Sequence, residues 1–217
     1  MNEIIINYIH KRVKNLRITI KRDKTVMVQH PLFMDKLLAQ QFVSKKMPWI
    51  KKHLKDLDSQ RRYWGEGDFL YIWGKPYKKK ICISSHNQVQ IQDDTLQVSV
   101  KEQSQIDFAI KKFLRECLKS EALFLLEKWQ RETGIKANEL RIKDMKTRWG
   151  SCNIDKKRIW LNLRLVHYDL KQLEYVILHE LMHIVERGHN KRFYSLLDGY
   201  MPDWKTSRKI LRNQQPL

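Results

Sequence analysis

VILHELMHIVERGHNKRFY, Val176 to Tyr194, carries three histidines and two glutamates in nineteen residues that are otherwise mostly apolar or basic. Together with Leu173, the apolar residues Val176, Ile177, Leu181, Ile184 and Val185 recur with the spacing of one helical face. Asp169 followed by Gln172 matches a capping box at the start of that helix. Its expected end is about Arg187, with Gly188 as the left-handed residue that closes it. A segment this apolar belongs in a core, so its polar residues need a reason to be there.

His179 and His183 stand four residues apart and leave the same face of the helix, one turn from each other. Two neutral imidazoles so placed can share one Zn²⁺ at about 2.0–2.1 Å each. Glu180 points to the side of the pair, where its carboxylate can take a proton without ligating the ion. The pattern is H-E-x-x-H, in which the Glu serves as general base. Chance yields it in roughly one or two chains of this composition per hundred, and with a third histidine far less often. The plainer alternative satisfies the imidazoles with carboxylates such as Glu174 or Glu186, but buried imidazoles and a buried carboxylate are costly without a cation.

A catalytic zinc keeps three protein ligands and one open position. His189 lies six residues beyond His183, just after Gly188, and is the expected third ligand, swung back by a glycine turn. The spacing equals the metzincin one, yet the glycine stands at 188 and position 186 is Glu, so the turn must differ. Asp198 and Asp203 are acidic alternatives for the third ligand. Zinc is expected from the ligand type, and Mn²⁺, Co²⁺ or Ni²⁺ suit the same imidazoles.

Working outward, Gln103 to Glu132 reads as a long core helix ending at Gly134. Two strands follow, ELRIKDMKT and RIWLNLRLV, separated by the turn-forming RWGSCNIDKK. In the second strand Ile159, Leu161, Leu163 and Leu165 alternate with Arg158, Trp160, Asn162 and Arg164, giving one core face and one basic face. The first hundred residues are mainly strand-like. NLRITIKRD and TVMVQHP read as two strands joined near Arg22 to Lys24, and FLYIWGKPYKKKICISSHNQVQIQDDTLQVSV as a β-meander. Between them, Asp35 to Arg62 has helical spacing, with Leu37, Leu38, Phe42, Trp49, Ile50 and Leu54 expected inward and Pro48 dividing it into a helix pair.

The 217 residues carry 43 Lys and Arg against 24 Asp and Glu, a formal net charge of +19. That surplus attracts polyanions without specifying any chemistry. Three widely spaced cysteines, with no C-x-x-C pair, indicate neither a disulfide framework nor a thiolate zinc site, and point to a reducing compartment. The N-terminal apolar run is too short for a signal-peptide core and no run is long enough to span a bilayer, so a cytoplasmic protein is expected.

Taken in order, MKTRWGSCN, RIWLNLRLV, YVILHELMHIVERGHNKRFY and MPDWKTSRKIL resemble the YgjP-like metallopeptidase family, relatives of the SprT-like zincins. The match is strongest over about residues 135–212. The resemblance implies an α+β, zincin-like catalytic domain over 103–217, with long helices on a small mostly antiparallel sheet. A β-rich region over 1–102, with helices at about 35–62, precedes it. It also implies His179, His183 and His189 as zinc ligands and Glu180 as catalytic acid/base. The family's Trp-Gly-Ser-Cys stretch falls on Trp149 to Cys152, and its aromatic pair on Phe193 and Tyr194.

Around that centre, Arg148, Arg164 and Tyr194 are candidate stabilisers of an oxyanion, and Trp149 and Trp160 candidate groove walls. Cys152 is a candidate inhibitory ligand and Met201 a candidate support beneath the ion. Each also has a plainer reading as packing or solvated surface. Peptide hydrolysis is the leading expectation, with the substrate extended along the 158–165 strand and possible association with nucleic acid. Hydrolysis of nucleoside triphosphates or related polyphosphates is the alternative, favoured by the positive charge. A nucleic-acid-binding protein with a structural metal is the third reading, disfavoured because closed sites usually recruit thiolates.

Overall fold

The computed structural model describes the backbone of residues 4–21, 23–63 and 67–213, and within these the side chains of all but 56–63 and 213. Arg22, expected at a strand joint, and the side chains of Arg61 and Arg62 therefore lie outside the described residues. The chain forms two compact units that divide between Arg61 and Arg62. The reason is packing: Leu96, Val98 and Val100 share one core with Leu114, Leu118 and Ile177.

In the first unit β1 (Ile6–Lys11), β2 (Arg17–Ile20) and β3 (Val26–Pro31) form a sheet in the order β1-β3-β2. The middle strand pairs parallel with β1 and antiparallel with β2. Helix α1 runs unbroken over Lys36–Tyr63 with Pro48 inside it, where the sequence predicts a pair. Proline removes one backbone donor and costs a helix about 3 kcal/mol. Burial of Val43 and Ile50 with Val26 and Val28 on both sides of Pro48 offsets that cost. The inward stripe is Ala39, Val43, Met47, Ile50 and Leu54. Leu37, Leu38, Phe42 and Trp49 are exposed, contrary to expectation.

The second unit begins with β4 (Phe69–Ile72), β5 (Lys75–Ile83), β6 (Gln88–Gln92) and β7 (Thr95–Val100). Their order, β4-β5-β7-β6 with β5 and β7 parallel, is not that of a meander. The alternating Leu96, Val98 and Val100 give β7 a fully buried face suited to the interior, whereas glutamine-rich β6 suits an edge. Helix α2 (Ile106–Thr133) packs on this sheet and ends at Gly134, whose φ of 70° is the left-handed closure expected.

A second sheet, β8 (Glu139–Lys143), β9 (Gly150–Asn153) and β10 (Arg158–Asn162), has the order β8-β10-β9, parallel to β8 and antiparallel to β9. The stretch read as a turn thus contains an edge strand, and only 154–157 turns. The alternation expected through Leu165 stops at Asn162, after which residues 163–167 form a 3-10 turn, all buried. Asn162 causes the break. Fully buried, it donates to the carbonyls of Met145 (2.9 Å) and Arg148 (2.7 Å) and accepts from the Arg164 amide (3.1 Å). Helices α3 (Leu170–Met182), α4 (Lys191–Tyr200) and α5 (Trp204–Asn213) complete the unit. α3 is apolar nearly all round and occupies the centre. Asp169 precedes it without a side-chain cap, and Gln172 faces Ser207, so the capping box does not form.

His167, buried just ahead of α3, donates from Nδ1 to the Tyr71 carbonyl at 2.7 Å. Burial pushes its pKa down to about 4; that hydrogen bond opposes the shift, the Arg164 charge adds to it and Asp144 opposes it. The folded chain therefore holds it neutral while the unfolded chain protonates near pH 6.5, so its stabilisation is full above 6.5 and lost as pH falls towards 4. That amounts to about 3 kcal/mol. Denaturant midpoints at pH 7.5 and 4.5 should differ less in His167→Gln than in wild type; an unchanged difference would remove His167 as the source.

Candidate metal centre

His179 sits in the last turn of α3 and His183 at its C-cap. The helix ends about one turn earlier than predicted. Its final bonds tighten, from the amides of Ile184 and Val185 to the carbonyls of Leu181 and Met182, and Gly188 does not adopt a left-handed conformation. His189 is delivered by the next element instead. Asn190 caps α4, its side chain accepting from the Phe193 amide at 3.0 Å, and His189 is the residue before that cap.

The three imidazoles meet: one ligand atom from each lies within 4.8 Å of the others. Nε2 of His179 and Nε2 of His189 are 3.0 Å apart. A tetrahedral ion with nitrogens at 2.0–2.1 Å separates its ligands by about 3.3 Å, so the pair is close to a coordination edge. Nδ1 of His183 donates to the Glu186 carbonyl at 3.0 Å, which leaves Nε2 for an ion. Tyr175 places its hydroxyl 3.5 Å from Nδ1 of His179. Burial, reinforced by the charges of His183, His189 and Arg208, pushes the His179 pKa down to about 3; His189 is lowered by burial and the charges of His183 and Arg208. The lowered basicity of His179 and His189 favours rings with a free lone pair, and the Nδ1 bond of His183 leaves its Nε2 to join them, so the residues fit a divalent cation.

Phe193, fully buried, forms the floor: its ring centroid is 4.9, 4.7 and 4.8 Å from those of His179, His183 and His189. Carboxylates do not take the ion's place. Glu174 pairs with Lys128 (2.7 Å), and the Glu186 carboxylate accepts from Asn190 (3.1 Å). Asp198 accepts from Trp204 (2.8 Å), Asp203 faces Lys171 (3.7 Å), and neither joins the histidine cluster among the described residues.

Glu180 is 6% exposed, and burial pushes its pKa up to about 8 against the opposing pull of Arg148. Gly150 of β9 makes the space for it. A Cβ at Gly150 would come within 2.7 Å of Oε1 and 2.8 Å of Cγ of Glu180, and 2.8 Å of Cγ1 of Val176. The edge strand thus lies directly on the carboxylate. Gly150→Ala should keep the histidine cluster and its metal affinity while displacing Glu180, lowering turnover by about 10²-fold; normal turnover in that variant would show that the carboxylate tolerates displacement.

Of the flanking candidates, Arg148 is exposed and close enough for its charge to act on Glu180. Tyr194 stacks on His189, with centroids 6.3 Å apart. Trp149 is structural: its Nε1 donates to the Leu211 carbonyl (3.0 Å) and its ring meets Tyr168 edge-on. Arg164 is buried and donates to Asp144 at 3.0 Å. Trp160 lies under the Arg141 guanidinium. The Cys152 thiol is pushed up to about 11 by burial and the Glu180 charge, so it stays protonated and joins no cluster. Met201 is core. Sequence reasoning missed Tyr175 and Arg208, although the latter's position four residues after Trp204 on a helix is a local cation-π signal.

The YgjP-like metallopeptidase domain matches residues 14–214, and the chain belongs to that family. The metallopeptidase zymogen abylysin of Pyrococcus abyssi is similar at 20% identity and a TM-score of 0.39, over 42% of this chain and 92% of that one. The metallopeptidase zymogen jannalysin of Methanocaldococcus jannaschii is similar at 26% identity and 0.38, over 42% and 94%. No curated protein matches the chain. No helix among the described residues is long and apolar enough to cross a membrane.

Proposed function

We propose that the chain is a zinc peptidase in which His179, His183 and His189 hold the ion and Glu180 is the general base. The observation that carries this reading is the convergence of three imidazoles beside a buried carboxylate that lies outside their cluster. When bound, the ion supplies Lewis acidity that polarises a carbonyl oxygen and acidifies water. Oε1 or Oε2 of Glu180 takes the proton from the attacking water and delivers it to the departing amine nitrogen. Val176 and Gly150 hold that carboxylate in place, and Arg148 offers its guanidinium to the developing negative charge.

The peptide pairs with the free edge of β9. β10, the strand expected to receive it, is already paired on both sides and has no free edge. A peptide library, casein, DNA-bound protein and nucleoside triphosphates, each assayed with and without chelator, test the reading. Chelator-sensitive cleavage of peptides supports it; chelator-sensitive release of phosphate without peptide cleavage overturns it.

A further inference from the structure

Arg208 of α5 lies over two stacked rings, its guanidinium carbon 5.6 Å from the Tyr194 centroid and 5.5 Å from that of Trp204. Those rings stack on each other at 5.4 Å and 11°. Both lead to the histidine cluster: Tyr194 stacks on His189, while Trp204 stacks on Tyr175, whose hydroxyl faces His179. The guanidinium is thus one ring removed from the histidine cluster. A guanidinium held by its charge over aromatic rings keeps N–H donors available for a further partner. Arg208 is exposed and no carboxylate pairs with it among the described residues, since Glu174, Glu186, Asp198 and Asp203 face other cations.

We infer that Arg208 is a specificity-determining residue that anchors a carboxylate of the peptide beside the scissile bond, supplied by an Asp or Glu side chain or by the C-terminus. A fork of N–H donors on a rigid aromatic base fits a planar carboxylate bidentately. The inference rests on the peptidase reading and deepens it to acidic peptides.

The test measures peptide binding by fluorescence anisotropy on metal-loaded and metal-free Glu180→Gln protein, and cleavage on the wild type. Four versions of one peptide are compared: an internal Glu with an amidated end, Gln with a free carboxylate, Gln with an amidated end, and Lys with an amidated end. At least one carboxylate peptide should bind about 10-fold tighter than the Gln amide, and which one does identifies the source. Adding Arg208→Gln should bring that ratio near one, and Arg208→Glu should invert it towards the Lys peptide. Equal binding of all four, or a ratio that survives Arg208→Gln, overturns the inference even if peptides are cleaved. Carboxylate preference without cleavage of any peptide overturns the peptidase reading instead. Tighter competition by ATP than by any peptide, lost in Arg208→Gln, overturns the carboxylate assignment.

Discussion

Glu180→Gln is expected to lower kcat by about 10²–10⁴-fold while the protein keeps its full complement of metal. The fall corresponds to about 3–5 kcal/mol of transition-state stabilisation. Glutamine has the same size and fits the space that Gly150 and Val176 leave, so the helix and its imidazoles are undisturbed. What disappears is the ability to accept and return a proton. With its pKa pushed up to about 8, Glu180 is largely neutral near pH 7 and the amide is its neutral counterpart, so the variant should melt no lower than wild type. Metal content by elemental analysis, turnover and a melting curve together isolate the effect. Full activity in the variant would end the assigned role of Glu180.

His189→Ala should raise the dissociation constant for Zn²⁺ by more than the 10–100-fold that loss of a supporting partner typically costs. The prediction is sharp because His189 is exposed and sits in the link between two helices, so its removal leaves the core intact. Metal-free stability should change by less than about 1 kcal/mol. Asp198→Ala and Asp203→Ala should leave metal affinity unchanged, since those carboxylates face Trp204 and Lys171. Competition titrations against a chelator of known affinity check all three. An unaffected His189→Ala together with a weakened Asp variant would reassign the third ligand.

The pairing of His179 and His183 was legible because helical geometry is local: a four-residue spacing fixes two imidazoles on one face whatever surrounds them. His189 joins that pair for a physical reason other than the expected one, since the Asn190 cap of the next helix and not a left-handed Gly188 sets its place. Gly150 and Arg208 were harder to see in their present roles. The first matters only because β9 pairs with β10 and so crosses over Glu180, the second only because α5 folds back onto Tyr194. The strand face assigned to Arg164 was misread because a fully satisfied buried Asn162 ends the alternation, which hydropathy does not reveal. In α1, apolar residues line more than one face, and only the sheet beneath selects Val43 and Ile50 over Phe42 and Trp49.

X-ray absorption at the metal edge of the zinc-loaded protein examines the coordination shell itself. Three imidazole nitrogens at about 2.0–2.1 Å with a light-atom fourth neighbour are predicted. A sulfur neighbour near 2.3 Å, or a shell with fewer than three imidazoles, would contradict the account.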